Sequence, residues 1–147
     1  MEELMEMREL LQSGRYSDAL VLLGEMEEMA KDDKINKIES YLQVLLLHLI
    51  KQQAEQRSTR SWDISVANAV DAIQSSNRRR KAGGFYLTAD DLWAAIAESY
   101  TPALRRASLE ALEGQLKPEE LDHLIDAQAI HTQAFILLMS VHPADYQ

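Results

Sequence analysis

Four histidines stand at positions 48, 123, 131 and 142. Metal sites carried on helices place their ligands one turn apart, and no two of these histidines have that spacing. Glu120 and His123 form one Glu-x-x-His, half of a di-iron bundle motif, but a second copy is missing. The pair therefore reads as a solvent-facing Glu and His beside the turn that Pro118 opens, and no metal or other cofactor is expected. His48 interrupts Val44-Leu45-Leu46-Leu47 and Leu49-Ile50, the most apolar stretch of the chain. A buried imidazole needs partners for its nitrogens. If the next helix returns antiparallel from Trp62, residue 48 lies level with about residue 68, which brings Ser65 and Asn68 within reach. A satisfied structural histidine and a pH-sensitive or acid–base group both remain open, although no nucleophile at suitable spacing supports the second.

The basic residues form two sets, Arg57 with Arg60 before Trp62 and Arg78 to Lys81 beyond the same helix. About 17 residues at 1.5 Å each set them ~25 Å apart, so they are two spots rather than one groove. Arg57, Arg60 and the free amides of a helix capped by Ser61 could hold a phosphate. The competing reading pairs an arginine with the acidic N-terminal third. Gly83-Gly84 lacks the Lys and Ser or Thr of a phosphate-binding loop and follows a helix, so it is a turn. Met1, Met5, Met7, Met26 and Met29 suit an adaptable binding face, a core stripe or a dimer contact.

The elements that must position these groups are helical. Nearly every long stretch repeats its apolar residues at three and four, and none of useful length alternates at two. The expected fold is all-α, an antiparallel helical bundle of about five to seven helices with an N-terminal helical hairpin. Leu4, Met7, Leu10 and Leu11 form a first stripe closed by Ser13-Gly14, where Gly supplies a left-handed cap. "GRYSDAL" is like the middle of one tetratricopeptide unit, but one unit does not make a solenoid, and it is taken as a tight helix-turn-helix. A second stripe runs from Ala19 to Ala30 and resumes at Ile35. The five-residue step between them predicts a bend or break near Asp32.

Ser61 is the expected N-cap of the next helix, with Asp63 in its first turn and Trp62, Val66, Ala69, Val70 and Ile73 on its buried face. That helix ends in the cationic Asn77 to Lys81 stretch, before Gly83-Gly84. Thr88 with Asp91 forms a capping box, and Leu87 with Leu92 occupies the staple positions, so a helix starts at about residue 89. Leu92, Trp93, Ile96 and Tyr100 are its inner face. Thr101-Pro102 reads as a cap followed by Pro at the first position of a new helix, in preference to a kink. Pro118 and Asp126 open the last two helical segments. The boundaries are thus residues 1–54 for the hairpin and long apolar helix, 55–82 for the Trp62 helix, 85–140 for the C-terminal helices and 141–147 for a frayed tail, all in one domain.

Composition narrows the function. Of 147 residues 46% are apolar, enough for a core without a staple. The absence of Cys excludes disulfides, thiolate zinc sites and thiol catalysis. Against 15 Lys and Arg stand 24 Asp and Glu, a net charge of −9. Residues 1–40, 41–81 and 82–147 carry −6, +4 and −7. A basic middle between acidic arms opposes the approach of a polyanion, so nucleic acid is not an expected partner. The chain opens on acidic residues with no apolar leader segment, and its longest apolar run, Leu42 to Ile50, is under half of the ~20 residues a membrane span needs. No membrane role is expected, and the cytoplasm is the expected location.

"LLLHLIKQQAEQRSTRSW", from Leu45 to Trp62, followed by Ser65 and Val66, resembles the signature of the bacterial family catalogued as domain of unknown function 29. The family's His-Leu-Leu-Lys run corresponds to His48, Leu49, Ile50 and Lys51, its loop arginine to Arg57 and Arg60, and its Ser-Trp to Ser61 and Trp62. "NRRRKAGGFYL" and "ASLEALEG" resemble the form common in cyanobacteria, which extends the likeness from about residue 10 to 135. Val70 stands where many members carry a second Arg. The resemblance implies a cytoplasmic bacterial helical domain with no established activity, and it nominates His48, Lys51, Arg57, Arg60, Ser61 and Trp62 as ligand-binding candidates. The expected function is an interaction or adaptor module with a protein partner, a second copy of the chain included. The alternative is an enzyme or phosphate-ligand binder centred on His48, Arg57, Arg60 and Trp62.

Overall fold

The computed structural model describes residues 2–79 and 83–140. Six α-helices account for most of them: α1 (Glu2–Gln12), α2 (Tyr16–Glu55), α3 (Arg60–Asn77), α4 (Ala89–Glu110), α5 (Pro118–Leu124) and α6 (Ala127–Met139), with a 3-10 turn at Ala111–Gly114 between α4 and α5. The all-α bundle expected from the periodicity is what forms. Arg80, Lys81, His142 and the expected tail at 141–147 lie outside the described residues.

α2 is the central element, packing on α3, α4 and α6. Ile38, Leu42, Leu45, Leu46, Leu49 and Ile50 are almost fully buried along it, each contributing about 1.5–3 kcal/mol of transfer free energy. Successive long helices alternate in direction. Lys51 meets Glu110 and Glu55 meets Leu112, so α2 and α4 run the same way, with both C-terminal ends at one pole. Gln53 meets Asp126 at that pole, and Gln74 donates to the carbonyls of Leu138 and Ser140 at the other, so α6 runs alongside α3.

The bend expected near Asp32 is absent, and α2 is one helix of 40 residues. The slip in the apolar stripe is real, but it marks a change of partner. Between Tyr16 and Lys37 only Ala19 is buried, and this half packs on α1. From Ile38 onward the apolar side meets the bundle helices. With no Gly or Pro at 31–34, an apolar face can turn about a helix without interrupting it. α1 and this first half of α2, joined through Gly14 at φ +75°, form the expected hairpin.

The expected helix start at Pro102 is also absent: α4 continues from Ala89 to Glu110 with Pro102 inside. Proline removes one backbone hydrogen bond and costs about 3 kcal/mol in a helix interior. Tyr100, Ala103, Leu104 and Ala107 are buried on both sides of it, which holds the helix in one phase. Trp93, expected on the inner face, is 39% exposed and meets the edge of Phe135 at 5.4 Å between ring centroids.

The capping box at Thr88 forms as expected. Its Oγ accepts from the Asp91 N–H at 3.2 Å, and the Asp91 carboxylate accepts from the Thr88 N–H at 3.0 Å. Before it, α3 stops at Asn77, short of the expected cationic end. Arg78 pairs with Phe85 in an isolated antiparallel bridge, and the turn it closes has Gly83 and Gly84 at φ +73° and +74°. Buried Asn77 holds the returning chain with both side-chain atoms, accepting from the Leu87 N–H at 2.7 Å and donating to the Leu87 carbonyl at 3.2 Å.

Candidate functional site

The residues nominated by the signature lie at the pole where α2 ends. α2 closes on Gln56, in the left-handed region at φ 53°, and the chain turns back within three residues. The cap of α3 is Thr59, not Ser61: its Oγ accepts from the Trp62 N–H at 3.1 Å. Both residues have a capping hydroxyl, and the short reversal puts the extended backbone at Thr59 while Ser61 falls inside the first turn. Asp63 is in that first turn as expected, where its carboxylate accepts from the Ser58 hydroxyl at 2.6 Å.

Three of the six nominated side chains come together. The Lys51 ammonium lies 4.7 Å from the centroid of the Trp62 ring, and the Arg57 guanidinium lies 4.7 Å from it as well. Lys51 is only 7% exposed, and an ammonium out of water needs a counter-charge. Glu110, at the end of α4, supplies it at 3.1 Å. Arg57 pairs with Glu55 at 2.9 Å, so its counter-charge comes from α2 beside it and not from the N-terminal third.

The second oxygen of Glu55 accepts the Leu112 N–H at 3.2 Å. Leu112 and Glu113 hold φ values of 51° and 61°, which side-chain-bearing residues adopt at a cost. Gly114 completes the turn, and a Cβ there would stand 2.7 Å from the Leu109 carbonyl oxygen. Burial pushes the Glu55 carboxyl up, but the Leu112 amide, Arg57 and Lys51 together outweigh it and hold it below its ordinary range. The cluster thus ties the end of α2 to the end of α4 and to the chain reversal.

The other nominated residues stand apart. The Nδ1 of half-buried His48 is hydrogen-bonded to the Val44 carbonyl one turn back, at 2.8 Å, in place of the expected Ser65 or Asn68. That carbonyl, one turn back on its own helix, satisfies one nitrogen locally. Arg60 and Ser61 are exposed on the first turn of α3. Glu120 and His123 are exposed, and Glu120 accepts from the Lys117 N–H at 3.0 Å as part of the start of α5. Among the described residues no three His, Asp or Glu side chains are placed to hold a metal ion.

Glu55 and Glu110 complete the cluster, and sequence reasoning missed both. Glu55 carried a weak signal, two residues before an arginine at a helix end, while Glu110 lies 59 residues from Lys51. A second polar group was also missed. Tyr100 donates to Asp122 at 2.7 Å, and His131 lies against the Tyr100 ring at 4.7 Å between centroids, with its buried Nε2 lacking a hydrogen-bond partner. Burial lowers the pKa of His131, opposed by the Ala127 carbonyl and Asp122, and burial together with Asp122 raises that of Tyr100. Neither cluster presents an activated nucleophile.

No helix among the described residues is long and apolar enough to cross a membrane. No curated protein and no solved structure matches the chain. A family model does match over residues 4–128, a span that takes in the whole of the Lys51–Trp62 cluster with Glu110 and the Leu112 turn, so the chain belongs to the family described as domain of unknown function DUF29.

Proposed function

We propose that this protein is a cytoplasmic interaction or adaptor module, with the α1–α2 hairpin as its contact surface and the Lys51–Trp62 cluster as an internal clamp. The observation that carries this reading is the exposure of large apolar side chains along the hairpin. Leu4, Leu11, Tyr16, Leu20 and Leu23 are all exposed there, from 44% at Leu23 to 69% at Leu20. Exposed apolar area of this extent on two adjacent helices suits contact with another protein. Against an enzyme or phosphate site stand the ion pairs of the clamp. Lys51 and Arg57 each already face a carboxylate, which neutralises the positive charge a phosphate would need. Affinity capture from the native cell extract tests the proposal, with wild type compared against a Leu11→Glu/Leu20→Glu variant. Proteins captured by wild type should be lost from the variant. The same set retained in the same amounts would overturn the hairpin as the contact surface.

A further inference from the structure

We propose that the hairpin pairs with the hairpin of a second copy of this chain, building a four-helix arrangement around a two-fold axis. This rests on the reading of the hairpin as a contact surface and adds the identity of the occupant.

The direction in which each side chain points follows from helix geometry. In α1, Leu10 is buried, and at 3.6 residues per turn Leu11 and Leu4 lie about 100° and 120° to one side of it, while Glu6, Glu2 and Glu9 lie about 40° to 100° to the other. In α2, Ala19 is buried, and Leu23, Tyr16 and Leu20 lie about 40° to 100° to one side of it, with Asp18 and Glu25 about 100° to 120° to the other. Because the two helices are antiparallel, rotations of the same sense in each bring side chains to the same side of the hairpin. Leu4, Leu11, Tyr16, Leu20 and Leu23 therefore form one apolar face, and Glu2, Glu6, Glu9, Asp18 and Glu25 form the opposite, acidic face.

That sorting selects the occupant. The hairpin region is strongly acidic, which at first opposes self-association, but five of its acids, Glu2, Glu6, Glu9, Asp18 and Glu25, lie on the side away from the apolar face. At the hairpin's base Glu27 and Lys31, four residues apart, bring one charge of each sign to the apolar side. Two such faces meet without like-charge repulsion, whereas a strongly charged partner would find no counter-charge. Leu20 also lies five turns above Ile38, on the same side of α2, so the face continues the bundle's own core beyond the reach of α4. A face about 20 Å square gives a footprint of ~400 Å² per copy, ~800 Å² in all, below stable interfaces and in the range of weak, transient ones, so the dimer should be no tighter than micromolar.

Sedimentation equilibrium from about 5 to 200 μM reads the outcome directly, with mass rising from 16.7 kDa toward twice that value. Leu11→Glu/Leu20→Glu should weaken association by at least about 100-fold, equivalent to ~2.7 kcal/mol, and stay monomeric at the low end of that range, where wild type already associates. Val21→Glu, exposed on the same helix but off the face, should associate like wild type, and far-UV circular dichroism of all three should agree. Wild type that remains monomeric at the highest concentration overturns the dimer. So does association of the double variant as strong as that of wild type. If wild type is monomeric yet hairpin-dependent partners are captured from extract, the contact surface stands and only its occupant was wrong.

Discussion

Removing Glu110 should harm the protein more than removing the lysine it neutralises. Lys51 is 7% exposed, and its ammonium faces the Trp62 ring and one carboxylate oxygen. At 3.1 Å, an effective dielectric of 20 gives a gross attraction of about 5 kcal/mol. The Glu110 side chain is 46% exposed, so water competes for it and the lysine's desolvation offsets much of the remainder, leaving a net coupling of roughly 1–2 kcal/mol. Glu110→Ala leaves a buried ammonium with the indole and the more distant Glu55 carboxylate, and should cost about 2 kcal/mol. Lys51→Met keeps the apolar stem and frees Glu110 to turn to solvent, so its effect should stay within about 1 kcal/mol of zero. Urea unfolding of both variants and of the double variant, followed by far-UV circular dichroism, measures all three terms. Urea is preferred to guanidinium because it leaves the ion pair unscreened. A Glu110→Ala loss no larger than that of Lys51→Met, or a coupling indistinguishable from zero, would refute the argument.

Thr88→Ala should lower stability by about 1 kcal/mol through loss of the α4 cap, seen as a lower urea midpoint with an unchanged slope. Asn77→Ala strands both the N–H and the carbonyl of Leu87 and should cost about 2–3 kcal/mol, with faster amide exchange at Leu87 as the local signature. His131 has its folded pKa below the ordinary 6.5, so the native state binds fewer protons than the unfolded state just below that pH. Stability present above pH 6.5 should therefore decline as the pH falls from 6.5 toward the folded value. His131→Phe should remove that part of the slope in unfolding free energies measured between pH 7.5 and 5.5, and an identical slope in wild type and variant would contradict it.

Local grammar was legible in the sequence and distant pairing was not. The Thr88–Asp91 box, Pro118 at the start of α5 and the Asp126 cap of α6 all depend on residues within four positions of one another, and each forms. The reading failed where tertiary contacts overrode a local signal. Pro102 is carried by buried neighbours, and the phase slip in α2 records a change of partner. Thr59 and Ser61 are chemically equivalent caps, and only the length of the reversal separates them. At the candidate site, the signature brought Lys51, Arg57 and Trp62 to notice. Their carboxylates, one of them on another helix, and the left-handed turn at Leu112–Glu113 left no local mark.

The continuity of α2 has a consequence for how the molecule can vary. With no joint between the hairpin and the bundle, the heading of the hairpin is set by counting residues. One residue inserted into the Lys31–Lys34 stretch would swing everything above it by about 100° and lift it by 1.5 Å, while leaving the contacts within the hairpin intact. Seven residues would return it to within ~20° of its original heading, some 10 Å farther out. Relatives that conserve the direction in which this arm points should therefore differ in α2 length by near-whole numbers of turns, and a lone insertion there should turn the arm away while the bundle folds undisturbed.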